Sequence, residues 1–278
     1  MNPLSRRTFL LGGGLALASY LFYEVNTVKV VRYTVPVRNL PAAFDGFTIL
    51  HLSDLHQKEF GAGQERLGAL IGRQRFDMVA VTGDLLLQSR PDVMPALRLL
   101  HRLPPVPVYF VNGNNECGAV SQHRYSIVRR LSAAGIAILD NSSVPLPRGN
   151  RHLWIAGVDD PASQRDLLPE ALAGTGDGAP VILLAHSPSI FPNAVQAGID
   201  LVLAGHTHGG QVRIPLVGAP WVPSMGLFPR LDYGKFREGT TSLIINGGLG
   251  ESIIPVRFNM PPEIVLVTLT PMKGTTGA

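Results

Sequence analysis

Four of the eight histidines stand at the ends of short apolar runs, beside aspartate, asparagine and glycine. Ser53-Asp54-Leu55-His56 follows the run 47–52, and Gly83-Asp84 follows 78–82. Asn112-Gly113-Asn114-Asn115-Glu116 follows 106–111. His186 closes 181–185, and Gly205-His206-Thr207-His208-Gly209-Gly210 closes 201–204. Imidazole nitrogens, carboxylates and an amide oxygen are donors for hard and borderline divalent cations. Taken singly, each fragment has an ordinary explanation as a cap or a polar turn. Five such fragments in succession, all carrying metal-capable side chains, point to cation binding. Asp54 and His56 are two residues apart, which predicts side chains on one side of an extended segment. The glycines around His206 and His208 allow close approach to an ion, with Thr207 facing away. Cysteine contributes nothing to such a cluster: Cys117 is the single one, which also excludes a disulfide scaffold.

These residues need a frame. The apolar runs alternate with amphipathic stretches at 64–75, 91–102, 121–134, 164–173 and 189–197. Runs at 242–246 and 264–270 read as closing strands. Strand–helix alternation predicts α/β architecture with largely parallel strands. Uniformly apolar strands predict sheets covered on both faces. In open α/β sheets ligands bind beyond the carboxyl ends of strands, and the polar clusters fall there.

Of 278 residues, 45% are apolar and 16% charged, which excludes disorder for most of the chain. The net charge of +4 suits an anionic substrate or membrane surface. With no lysine/arginine run, no nucleic-acid partner is expected. There is no internal repeat and no linker after Asp45, so one catalytic domain is expected. Ser5-Arg6-Arg7-Thr8-Phe9-Leu10 before an apolar run to Tyr23 resembles a twin-arginine export signal. The run is shorter than the roughly 18–20 residues that span a bilayer. Ala16-Leu17-Ala18 looks like a cleavage site, and retention as an uncleaved anchor stays open.

The order Asp-x-His, Gly-Asp, Gly-Asn-x-Glu, lone His, Gly-His-x-His resembles the calcineurin-like metallophosphoesterase superfamily. Gly205 to Gln211, Gly247-Gly248-Leu249-Gly250 and Pro262-Glu263-Ile264 look like its bacterial YaeI/YkuE-like branch. The resemblance implies a four-layer α/β/β/α sandwich, two mixed sheets flanked by helices. It implies two divalent ions (Mn²⁺, Fe, Zn²⁺ or Co²⁺). Asp54, His56 and His208 would hold the first, and Asn114, His186 and His206 the second, with Asp84 bridging. A metal-bridging hydroxide would attack phosphorus in line with the leaving oxygen. Asp84, Asn114, Asn115 and His206 take the catalytic roles. The implied organisation is a signal or membrane anchor over 1–27 and a linker with an edge strand over 28–46. A metallophosphoesterase domain over 47–271 and a tail over 272–278 complete it.

One position departs from the pattern. The family usually reads Gly-Asn-His-Asp/Glu, and this chain has Asn115 where the His stands. An amide gives up no proton near neutral pH. The leaving group is then already good, or His51 or His123 substitutes, or activity is lower. The function implied is hydrolysis of a phosphodiester or pyrophosphate bond, with a metal-binding but catalytically weak or silent scaffold as the alternative. The expected site of action is the cell envelope: exported by the twin-arginine machinery, then extracytoplasmic or anchored to the plasma membrane. A lipid-linked phosphate is a natural substrate there. Arg257 is expected in a salt bridge, with a substrate-phosphate contact as the second reading. Trp154, Trp221 and Phe228 are core residues, or the lining of an apolar groove. The stretch 215–234 is a long loop suited to a lid or a membrane-facing edge.

Overall fold

The apolar runs pair into two six-stranded sheets that pack face to face. The computed structural model describes residues 6–119, 121–223, 225–252 and 255–272, without the side chains of 6, 7, 9 and 121–123. The first residues of the export motif, the arginine pair's side chains, that of His123 and the tail beyond 272 therefore lie outside the described residues.

In chain order the strands are β1 (Lys29–Val37), β2 (Thr48–Leu52), β3 (Met78–Thr82), β4 (Val108–Val111), β5 (Ala137–Ile138), β6 (Ser142–Arg148) and β7 (Arg151–Gly157). Then come β8 (Val181–Leu184), β9 (Leu201–Ala204), β10 (Trp221–Val222), β11 (Gly226–Leu227), β12 (Gly234–Glu238), β13 (Thr241–Ile245) and β14 (Glu263–Pro271). One sheet runs β1-β14-β2-β3-β4-β5 and the other β12-β13-β9-β8-β7-β6. The two are mixed. Only the β14–β2, β12–β13 and β6–β7 joins within them are antiparallel. β2, β3 and β4 run parallel at the centre of the first sheet, and β7, β8 and β9 in the second.

The central strands are buried on both faces, as their apolar sequences require. Ile49, Met78 and Val265 from one sheet meet Ile155, Leu184 and Leu203 from the other. The alternate residues Leu50, Val79 and Val81 face a second cluster, under α2 (Glu65–Gly72), α3 (Met94–Leu100) and α5 (Ser121–Ala133). Leu183, Val202 and Ile245 face a third, under α6 (Leu168–Ala171) and α7 (Phe191–Gln196). The result is helices, sheet, sheet, helices. Two more helices are α1 (Arg6–Asn26) and α4 (Asn114–Gly118). Among the described residues no helix is long and apolar enough to cross a membrane.

Several elements differ from the sequence expectation. β6 has Pro145 and Pro147, which disguise it. It is an edge strand, where a missing N–H is tolerated. β12 is short and largely polar, also at an edge. The helix expected over 164–173 is reduced to Leu168–Ala171. Gln164 is left-handed (φ 55°) and Gly174 follows the last turn at φ 95°, so the periodicity there has no room to propagate. The loop expected over 215–234 contains the small β10–β11 hairpin.

Candidate metal centre

Parallel strands put their carboxyl ends on one side, so the loops after β2, β3, β4, β8 and β9 meet at one edge of the sandwich. Extended geometry does not bring Asp54 and His56 together there. Both are left-handed, with φ of 52° and 46°, and the expectation of an extended segment fails. Asp84 (52°), His206 (70°) and His208 (51°) share that conformation. Non-glycine residues adopt it rarely, and tertiary contacts must hold it. Backbone bonds carry the β2–β3 pairing past the strand ends: Asp54 N to Gly83 O (3.0 Å), His56 N to Asp84 O (3.0 Å) and Gln57 N to Leu85 O (2.9 Å). Gly83 sits at φ 82°, and a Cβ there would lie 2.6 Å from Gly113 N and 2.8 Å from His186 Nδ1. Only glycine lets these loops close on each other.

The donor atoms converge. His56 Nε2 and His208 Nε2 are 3.0 Å apart and lie 3.8 and 3.3 Å from Asp54 Oδ1. Asp84 Oδ2 is 3.7 Å from His56 Nε2 and 3.5 Å from His186 Nε2, between the two groups. His186 Nε2 is also 3.1 Å from Asn114 Oδ1 and 3.1 Å from His206 Nδ1. All seven side chains of the expected ligand set are thus together.

The fit to divalent cations rests on orphaned and aimed atoms. Asp54 Oδ2 accepts from Ser53 Oγ (2.5 Å) and His206 N (3.0 Å). Asp54 Oδ1 is buried and accepts no hydrogen bond from any described residue. His186 Nδ1 donates to Thr82 O (2.8 Å), which turns Nε2 into the cluster. Two sets of atoms, Asp54/His56/His208 and Asp54/Asp84/His186, are each close enough to share an ion. Oxygen and imidazole donors mixed in this way suit Mn²⁺, Fe, Co²⁺ or Zn²⁺.

Electrostatics point the same way. Burial pushes the His186 imidazole down, but the Asp84, Asp54 and Asp160 carboxylates outweigh it and hold it well above its ordinary range. Burial would raise Asp84, but His186 and His56 hold it below the usual carboxylate range. The pocket therefore attracts positive charge. His208 lies well below its ordinary value through burial and the neighbouring His56 and Arg257. Burial, then His186, brings His206 down to about 4.

Asn115 is committed within the cluster. Its Nδ2 donates to Asp84 Oδ2 (2.8 Å), and its backbone N donates to Asp84 Oδ1 (2.9 Å). His51 is no substitute acid. It is fully buried, its Nε2 pairs with Thr82 Oγ1 (2.8 Å), and burial lowers it to about 3. Arg257 makes no salt bridge among the described residues, and its Nη2 lies 3.4 Å from His208 Nδ1. Fully buried, it donates to the carbonyls of Gly247 (3.0 Å), Gly248 (3.2 Å), Gly250 (2.5 Å) and Met260 (3.1 Å), and so ties the 247–250 loop. Trp154 is the middle residue of β7, level with Val181 at the start of β8, and donates to Asp177 (2.9 Å); it is not among the residues that line the cavity at Trp221. Thr207 does face away, donating to Asp232 O (2.6 Å).

Glu116, to which the sequence motif assigns no role, organises the site. Its carboxylate accepts from Gly113 N (2.8 Å), Asp84 N (2.8 Å), Leu85 N (2.9 Å) and Leu86 N (3.3 Å). Burial and the Asp84 charge push it up to about 7, against those N–H groups. Its place three residues after Gly113, at the start of α4, is the capping-box spacing and was the available signal.

A double mixed sheet with a histidine–carboxylate–amide cluster at its strand ends defines a metallophosphoesterase, a hydrolase acting on phosphoester bonds. Residues 47–210 match the calcineurin-like phosphoesterase family, and the chain belongs to that family. It is 28% identical to the metallophosphoesterase YkuE of Bacillus subtilis, over 97% of this chain and 99% of that one. YpbG of the same organism is 32% identical over 80% of each chain. The phosphodiesterase YaeI of Escherichia coli is 28% identical over 96% of this chain and 99% of its own.

Proposed function

We propose that the chain hydrolyses a phosphodiester or pyrophosphate whose leaving oxygen is already acidic, at a two-ion site, at the cell envelope. The observation that carries the site is the position of Asp84 between the two groups of donor atoms. Asp54, His56 and His208 would hold one ion, and Asn114, His186 and His206 the other, with Asp84 shared. Divalent cations bound there would supply charge neutralisation for a phosphoryl group and acidify a water.

This chain's own residues do the rest. Asn114, Asn115 and His206 are the half-buried members of the cluster and form the rim that substrate meets. Asn115 holds both Asp84 oxygens and so orients the shared carboxylate. It gives the leaving oxygen no proton, and His51 is fully buried behind Thr82 and Ser53, which link it to Asp54 rather than to substrate. A leaving group that departs unaided fits such a site, as in a pyrophosphate or an aryl diester, and YaeI is named a phosphodiesterase. The same Asn115 favours a second reading, a metal-binding scaffold with little turnover.

The test is hydrolysis of bis(p-nitrophenyl) phosphate after Mn²⁺ loading. Bound metal without turnover of any activated diester would transfer the case to the scaffold. Asn115→His is expected to raise kcat on alkyl diesters by about 10²-fold, the lower end of general-acid assistance, with little change on the nitrophenyl substrate. Equal rates on alkyl diesters would remove the leaving-group argument. The envelope location rests on Ser5 to Leu10 and the apolar run behind them. With Arg6→Lys and Arg7→Lys together the chain is expected to accumulate inside the producing bacterium. Unchanged export would refute the twin-arginine route.

A further inference from the structure

We propose that the loop from Val212 to Phe228 and helix α1 form one face that docks on an anionic lipid bilayer beside the metal centre. In the loop, Leu216 is fully exposed, Leu227 74% and Phe228 60%. Both Leu216 (φ 69°) and Phe228 (φ 47°) are left-handed, a conformation disfavoured for bulky side chains, yet each presents its apolar group to the outside. Helix α1 has exposed leucines and aromatics on every side rather than one stripe.

These two segments, far apart in sequence, meet in space. The Tyr20 ring packs edge-on against Phe258 at 5.5 Å, and its hydroxyl accepts from Asn259 N (3.2 Å). Phe258 in turn is bonded through its backbone to Gln211 and Arg213 at the root of the loop. A small apolar cavity of about 120 Å³ then leads inward from Trp221 and Pro220 to His208.

Charge and shape choose the occupant. From His208 to Leu231 the chain carries Arg213 and Arg230 and no Asp or Glu, and from Arg6 to Tyr23 it carries only the arginine pair. Asp232, the next residue, is turned into the loop, where it pairs with Arg213 (2.7 Å) and accepts from Ala219 N (3.2 Å), so Arg230 and the arginine pair carry the charge of the two segments. Glu24, the first acid after that pair, is buried. A face whose nearest acids are buried or paired, with Arg230 beside its apolar groups, complements anionic headgroups. Its apolar groups are exposed and scattered, with Trp221, Tyr20 and Tyr23 among them. A fluid leaflet accommodates such groups, whereas a protein partner needs a matching fixed surface. The docking argument stands apart from the proposed hydrolysis and rests on it only for what the face delivers to the site.

Trp221 reports on the face. It is 46% exposed, and the other tryptophan is Trp154, in the middle of β7. The full chain with Trp154→Phe is mixed with vesicles of equal parts phosphatidylcholine and phosphatidylglycerol, with and without brominated acyl chains. Expected are a blue shift of Trp221 emission and its quenching by the brominated lipid. Leu216→Asp, Leu227→Asp and Phe228→Asp together should lower vesicle partition by about tenfold or more. Asp is at ease at positive φ, so the triple variant keeps its fold. Vesicle binding with Trp221 unquenched would mean that α1 attaches alone and would overturn the proposal, as would no binding. Self-association that buries Trp221 without lipid would assign the face to a second copy and overturn it as well. Hydrolysis of bis(p-nitrophenyl) phosphate by the same samples reports separately on the enzymatic reading. Docking without hydrolysis would leave this proposal standing and that one fallen.

Discussion

Asp84→Asn is expected to cut hydrolysis by about a thousandfold or more while the chain stays folded. The carboxylate is buried and shared between the two donor groups, where His56 and His186 already hold its charge. The amide has the same shape but halves the acceptor capacity and removes the charge that cations would neutralise. One of its two terminal positions would also confront an Asn115 donor, where both oxygens now accept. The discriminating measurement is thermal unfolding with and without Mn²⁺, alongside kcat. Metal at about a hundredfold over its Kd stabilises a protein by about 2.7 kcal/mol. In a chain of this size that is a rise of roughly 5–11 °C. The unsubstituted protein should show it, and Asp84→Asn should lose most of it. Equal metal-induced shifts and equal turnover in both would remove Asp84 from the centre of the mechanism.

Glu116→Ala acts on stability first. Four backbone N–H groups from two loops would lose their acceptor in the interior. A buried donor left without a partner costs about 1–3 kcal/mol. The expected loss is therefore about 4 kcal/mol or more, a large share of a total of about 5–15 kcal/mol. The midpoint should fall by roughly 8–16 °C, and metal binding with it. Glu116→Gln keeps one oxygen acceptor and should land between the two. Calorimetry on the three proteins checks this order, and a Glu116→Ala midpoint within a degree or two of the parent would refute it.

What could be read in the sequence follows from physics. The buried parallel strands are bare apolar runs, and nothing competes with that signal, so β2, β3, β4, β8 and β9 lie where the runs do. The edge strands β6 and β12 tolerate proline and polar residues, which erases the pattern. The convergence of Asp54, Asp84, Asn114, His186, His206 and His208 was legible because strand ends collect on one side. Their backbone conformation was not, because Asp and His tolerate left-handed geometry without requiring it. It is imposed by the neighbouring loop. Glu116 and Arg257 escaped for a related reason. Their partners are backbone groups brought near by the fold, and backbone groups carry no mark in a sequence. Asn115 drew notice as a departure from a pattern, but its grip on Asp84 needed coordinates.

The three backbone bonds that continue β2–β3 pairing beyond the strand ends make the Asp54 and Asp84 loops a single mechanical block. Loops after strands ordinarily open one at a time, at little cost, and exchange their amide protons quickly. Here the amides of Asp54, His56 and Gln57 are locked to the carbonyls of the opposite loop, which Glu116 secures from beneath. Opening either loop means breaking both. The two halves of the cluster are thereby coupled before any ligand arrives, and a change that loosens one coordination group reaches the other through the main chain.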